Sequence, residues 1–117
     1  ARDELVQALL NLVRNAMQAV GQRGRIVLRT RTLSNVSMHG GRHRLLACVQ
    51  VEDDGPGVPD ALRDSLFMPL VTGRSEGTGL GLAVAQDIVS RHHGMIEYES
   101  RPGRTVFSML LPLEMPG

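Results

Sequence analysis

From Asp3 to Val20 apolar residues recur at helical spacing. Leu5, Leu9, Leu12 and Ala16 form one row, with Val6, Leu10, Val13, Met17 and Val20 beside it. That pattern predicts a strongly buried helix ended near Gly21. On its remaining face Asn11, Asn15 and Gln18 fall at i, i+4 and i+7, which stacks the two asparagines one turn apart. Asparagine is a mediocre helix former, and both a core hydrogen-bonding role and a ligand role would explain a mid-helix pair.

The period then changes to two. Arg25–Leu33 and His43–Glu52 alternate and are rich in Ile, Val, Leu and Thr, with Gly40-Gly41 between them, so a β-hairpin with a long, ragged connection is expected. Val58 to Gly77 carries prolines, charges and an isolated Leu66-Phe67-Met68. This is the composition of a lid, with one short helix around Asp60 to Ser65. Leu80 to His93 is amphipathic again, with Leu80, Val84, Ile88 and Leu82, Ala85, Val89 expected to face inward and Gly94 to supply the stop. Met95–Ser100 and Thr105–Pro112 make a second hairpin across Arg101-Pro102-Gly103-Arg104. Hairpins adjacent in sequence with helices on one side predict an α/β two-layer sandwich.

Composition narrows the function. With 117 residues, 42% of them apolar, the chain is one domain with a single core. A formal charge of +1 gives no pull toward nucleic acid, and Phe67, Phe107 and Tyr98 are too few for base-stacking platforms. No apolar run approaches a membrane span and no signal peptide is visible, so a cytoplasmic domain with no membrane contact is expected. Cys48 sits in an alternating run and reads as a small buried strand residue. The four histidines lack paired carboxylate or cysteine spacing, which disfavours a histidine metal cluster.

Two glycine turns hold the candidate chemistry. Glu52-Asp53-Asp54-Gly55-Pro56-Gly57 places a carboxylate pair in the first, suited to a base; Glu76-Gly77-Thr78-Gly79-Leu80-Gly81 opens into a helix, suited to phosphate. The chain contains no lysine, which excludes a P-loop and the strand lysine of eukaryotic-type protein kinases. A Rossmann fingerprint fails because Val84 stands where the third glycine belongs.

Taken in order, Asn11-Leu12-Val13-Arg14-Asn15-Ala16 resembles the N box, Asp53-Asp54-Gly55-Pro56-Gly57 the G1 box, and Leu66-Phe67-Met68-Pro69 the F box. Gly77-Thr78-Gly79-Leu80-Gly81-Leu82 resembles the G2 box, and Gly103-Arg104-Thr105-Val106-Phe107 the last box. Together they resemble the sensor histidine kinase catalytic domain, in the ATPase superfamily shared with gyrase, Hsp90 and MutL. The wording of Arg29–Thr32, Met38–Gly40, Arg42–Leu45 and Pro69–Arg74 is similar to the nitrogen-regulation branch, the NtrB-type kinases.

The resemblance implies the Bergerat ATP-binding fold, a mixed sheet covered on one face by helices, with ATP and Mg²⁺ as cofactors. It implies that Asn15 and Asn11 hold the metal and the phosphate side, and that Asp53 accepts from the adenine amino group. Gly55, Gly57 and Thr105 complete that pocket. Gly77, Thr78, Gly79, Leu80 and Gly81 wrap the phosphates, Phe67 anchors the lid, and Arg74 on the lid contacts the γ-phosphate. Hydrolytic members of the superfamily carry a glutamate four residues before the metal-binding asparagine. Asn11 stands there instead, and an amide cannot serve as a general base near neutral pH.

Phosphoryl transfer to a histidine on a separate dimerisation domain is therefore the expected reaction. No phosphoacceptor pattern is present, so the chain reads as an excised catalytic domain without acceptor or sensor domains. Implied partners are the phosphoacceptor domain of the same protein, an NtrC-like response regulator and a trimeric PII signalling protein. Two alternatives remain: a serine kinase of the anti-sigma-factor type, and a regulatory nucleotide-binding module that presents its surface to a PII-type protein.

Overall fold

The computed structural model describes residues 2–38, 40–63 and 81–113, without the side chains of Arg2, Met38, Leu62 and Arg63. The order is α1 (Arg2–Val20), β1 (Ile26–Met38), β2 (Gly41–Asp53), α2 (Asp60–Arg63), α3 (Gly81–Arg91), β3 (Met95–Arg101) and β4 (Arg104–Pro112). The strands form one sheet in the order β1-β2-β4-β3. Helix α1 packs on α3 and β2, and α3 packs on β3 and β4, which gives the expected two layers.

Every strand pair in the described sheet is antiparallel, so the expectation of a mixed sheet is corrected. The crossover from β2 through α3 leads to β3, which does run parallel to β2. The hairpin that follows, however, inserts β4 between them, and no parallel pair forms.

The first hairpin is also tighter than its polar middle suggests. Pairing keeps one register from Ile26↔Asp53 to Met38↔Gly41, interrupted at Asn35, and leaves two residues between the strands where a long, ragged connection was expected. Asn35, at φ 55°, takes the left-handed conformation where one pair is missing, and the register is the same on both sides of it. Backbone pairing is indifferent to side-chain polarity, which is why the serine- and arginine-rich stretch still forms strand.

The core lies between helices and sheet: Ala8, Leu12 and Ala16 of α1, Leu82, Ala85, Ile88 and Val89 of α3, and Val51, Ile96, Phe107 and Met109 of the strands. Leu5, Leu9 and Val13 are partly buried against it. The second expected row of α1 is buried only in part, since Val6, Leu10 and Met17 are exposed while Val13 and Val20 are half-buried, and on α3 Val84 is exposed as well. The reason is coverage: α1 has neighbours on its α3 and β2 sides, while β1 packs chiefly against β2. Cys48 is a buried strand residue, clustered with Leu46 and Leu110.

The stop of α3 is a Schellman motif. Gly94 N–H donates to Val89 O at 2.9 Å and His93 N–H to Ser90 O at 3.0 Å, and His93, at φ 66°, is the left-handed residue. The expectation that Gly94 supplies the stop is therefore corrected by one position. Glycine is needed at 94 for a different reason: a Cβ there would stand 2.2 Å from the Leu110 carbonyl oxygen. His92 secures the same turn by donating Nδ1–H to Ile88 O at 2.8 Å, a tautomer dictated by a carbonyl that can only accept.

Candidate functional site

The first glycine turn leaves the end of β2 and is clamped from both sides. Gly55 sits so close to the last turn of α1 that a Cβ would lie 2.9 Å from Ala19 O, and its own carbonyl accepts from Gly103 N–H at 2.8 Å. Gly57 takes φ 92°, and a Cβ there would meet the Arg101 backbone at 3.0 Å, so both conformation and space require glycine.

Within this clamp the two carboxylates separate. Asp54 is exposed and ties the turn to β1, its Oδ1 accepting from Arg25 N–H at 2.8 Å. Asp53 is only 2% exposed, and its Oδ1 accepts from Gly55 N–H at 2.9 Å. Burial pushes the Asp53 carboxyl above its usual range, partly opposed by the Gly55 hydrogen bond and reinforced by the nearby Asp54 and Glu52 charges. A buried carboxylate with acceptor capacity to spare can recognise a donor such as an exocyclic amine.

Thr105 lies opposite Asp53 in the β2–β4 register and is buried. Its Oγ1 is 2.8 Å from Ser100 Oγ, which in turn accepts from Val58 N–H at 2.7 Å. Ser100 is a site residue that sequence reading missed. The signal was available: the turn at Pro102-Gly103 fixes the register that places Ser100 across from Thr105. Beneath this wall Tyr98 and Phe107 stack with centroids 5.5 Å apart.

Helix α1 connects this end of the site to the other. Between Ala19, at the first glycine turn, and Asn11 the helix rises about 12 Å, within the reach of an extended nucleoside triphosphate. Asn15 lies between, half-buried, with no side-chain hydrogen bond to another described residue. At the far end Asn11, 7% exposed, donates Nδ2–H to Gly81 O at 3.1 Å and accepts from Gln7 Nε2–H at 2.9 Å. Gly81 begins α3, whose first turn carries no acidic side chain to offset the positive end of the helix dipole.

The structure thus brings Asn11, Asn15, Asp53, Gly55, Gly57, Gly81 and Thr105 to one side of the sheet, along α1. The expected lid residues Phe67 and Arg74, together with Gly77, Thr78, Gly79 and Leu80, lie outside the described residues.

Residues 1–115 match the histidine kinase-, DNA gyrase B- and HSP90-like ATPases. The chain belongs to that family. The match makes it an ATP-binding domain, and its relatives place it on the histidine kinase side of the family. It is 53% identical over 112 residues to the sensory histidine kinase/phosphatase NtrB of Escherichia coli O157:H7. With the protein of the same name from Rhodobacter capsulatus the identity is 47% over 114 residues. In both cases the match covers 95% of this chain and 32% of the relative, so the chain spans about a third of those proteins.

Among solved structures it resembles the nucleotide-free catalytic domain of histidine kinase ThkA. The TM-score is 0.77 and the identity 32%, covering 96% of this chain and 68% of that one. The mycobacterial sensor histidine kinase MprB gives a TM-score of 0.73 at 26% identity, covering 96% of this chain and 74% of that one. The sequence reading of a histidine kinase catalytic domain on an α/β sandwich therefore stands. Among the described residues no helix is long and apolar enough to cross a membrane.

Proposed function

We propose that all 117 residues form one domain that holds ATP and Mg²⁺ and presents the γ-phosphoryl group to a histidine on a phosphoacceptor and dimerisation domain of the same protein. In this reading it is the catalytic domain of an NtrB-like nitrogen-regulation kinase working in the cytoplasm. An NtrC-like response regulator acts downstream and a PII-type protein as regulator.

Asp53 accepts from the adenine amino group, with Gly55, Gly57 and Thr105 as the walls. The start of α3 at Gly81 receives the phosphates, together with Gly77, Thr78, Gly79 and Leu80 on motif grounds, while Arg74 and Phe67 belong to the lid on the same grounds. Asn15 fits a hard cation, because its amide oxygen is half-buried and free of other described partners. Asn11 retains one lone pair on Oδ1 for the same ion. Bound there, Mg²⁺ would neutralise charge developing on the phosphates, which is most of what phosphoryl transfer asks of a protein.

The observation that carries the reading is the amide at position 11. It occupies the place of the hydrolytic members' glutamate, and both ends of it are engaged in hydrogen bonds. Nothing at that position can take a proton from water. The test is labelled ATP with this chain alone, then with a separately produced cognate acceptor domain. Alone, the chain should bind ATP, release phosphate negligibly and stay unlabelled. With the acceptor, acid-labile label should appear on the acceptor, weakly, because the tether that raises effective concentration is gone. Steady phosphate release by the chain alone would make it an ATPase, and acid-stable phosphoserine on the acceptor would make it a serine kinase.

The metal assignment has its own check. Asn15→Ala should reduce the gain in ATP affinity that Mg²⁺ provides while leaving adenosine binding within about twofold, since adenosine carries no phosphate for the ion to bridge. Equal losses with and without Mg²⁺ would mark Asn15 as a structural helix residue.

A further inference from the structure

Gln7 belongs to none of the five motifs and is exposed on α1, yet its amide is 2.9 Å from that of Asn11. The chain of bonds beyond it has a fixed polarity. Gly81 O can only accept, so Asn11 must turn Nδ2 toward it; Asn11 Oδ1 then faces Gln7, which must present its own N–H. Gly81 has no side chain with which to pack, and no atom of the described residues lies within 4 Å of where its Cβ would stand. The neighbouring Leu82 packs in the core, so it is the orientation of the Gly81 peptide that is set by the hydrogen bond rather than by packing.

We infer that Gln7 is a positioning residue for nucleotide binding: acting through Asn11, it fixes the first residue of α3 against α1 in the orientation that phosphate binding uses. The inference rests on the ATP-site reading above. Donor character at position 7 is what matters. A carboxylate there can only accept, so Asn11 would turn Nδ2 toward it and present Oδ1 to Gly81 O, setting two acceptors against each other and releasing the Gly81 peptide.

The experiment is calorimetry with Mg²⁺·ATP and with adenosine on Gln7→Glu, made both in the unaltered chain and in an Asn11→Ala background. Asn11→Ser serves as a second background should Asn11→Ala fail to fold, with adenosine binding reporting an intact domain. In the unaltered chain Gln7→Glu should weaken ATP about five- to tenfold, the size of one net hydrogen bond, and leave adenosine within about twofold. In the Asn11→Ala background it should add nothing, because the group through which it acts is gone.

The same loss in both backgrounds would mean that the new charge acts directly on the phosphates, and would overturn the inference. No loss in the unaltered chain, with Asp53→Asn still weakening ATP, overturns the positioning role and leaves the ATP site standing. ATP binding that survives Asp53→Asn unchanged overturns the site reading, and the inference with it.

Discussion

Asp53→Asn should weaken ATP binding roughly ten- to two-hundredfold, the loss of a charge-assisted hydrogen bond of about 1.5–3 kcal/mol. The carboxylate is buried at the end of β2, and one of its oxygens is already engaged by Gly55 N–H. An asparagine can keep the Gly55 bond through Oδ1, but it then turns an N–H toward the adenine amino group, setting donor against donor. Guanine presents a carbonyl oxygen at the same place, so the unaltered domain should prefer ATP to GTP and Asp53→Asn should narrow that preference.

The apo domain should respond in the opposite sense. Burial raises the Asp53 pKa, so the folded state holds this proton more tightly than the unfolded chain does. The contribution of Asp53 to stability then falls as pH rises from the unfolded carboxylate value through the raised folded value, and stays low above it. Removing the charge should leave the melting temperature at neutral pH equal to or above that of the unaltered chain. Titration calorimetry for the nucleotides and thermal melts of the apo protein check both halves. Unchanged ATP affinity, or weaker ATP binding accompanied by a lower melting temperature, would refute the assignment of Asp53 as a base-recognition residue held at a cost to stability.

Gly94→Ala should be the most damaging of the single-methyl substitutions at the glycines considered above, destabilising by about 3 kcal/mol. The added carbon would stand 2.2 Å from Leu110 O and 3.0 Å from both Leu111 Cδ2 and Val89 Cγ1. A β4 backbone oxygen cannot rotate away, so relief requires the end of α3 to lift from the sheet. A fall of roughly 10–20 °C in melting temperature is expected. His93→Gly, one residue earlier, should instead stabilise by about 0.5 kcal/mol, because the left-handed conformation is forced on a residue with a side chain and glycine adopts it freely. If the two substitutions shift stability in the same direction, the assignment of helix stop to His93 and close approach to Gly94 is wrong.

These paired outcomes mark the division between chain and fold. Local periodicity was sufficient to place α1, α3 and both hairpins, because each depends on contacts within a few residues of sequence. The glycine turns were legible for a similar reason: Gly55 and Gly57 signal tight backbone geometry wherever they stand. Asp53 rather than Asp54 was picked out by the likeness to the G1 box and not by local pattern, and its burial depends on how Ala19 and the β3–β4 turn clamp the loop from distant parts of the chain.

Burial followed the same rule. Val6, Leu10 and Met17 are as apolar as their neighbours, and they are exposed because, among the described residues, α1 packs chiefly on α3 and β2 on its other sides. The sheet is antiparallel because β4 inserts between β2 and β3, a choice of strand order that no local segment encodes. The Gln7–Asn11–Gly81 relay divides in the same way. Its first link, at i and i+4 on one helix, could be read from spacing, while its second spans 70 residues and exists only because α3 begins beside α1. The sequence by itself determined which residue types carry the chemistry and on which elements they ride. Only the tertiary structure decided which of them meet, because long-range packing sets burial, and burial sets what a carboxylate or an amide can do.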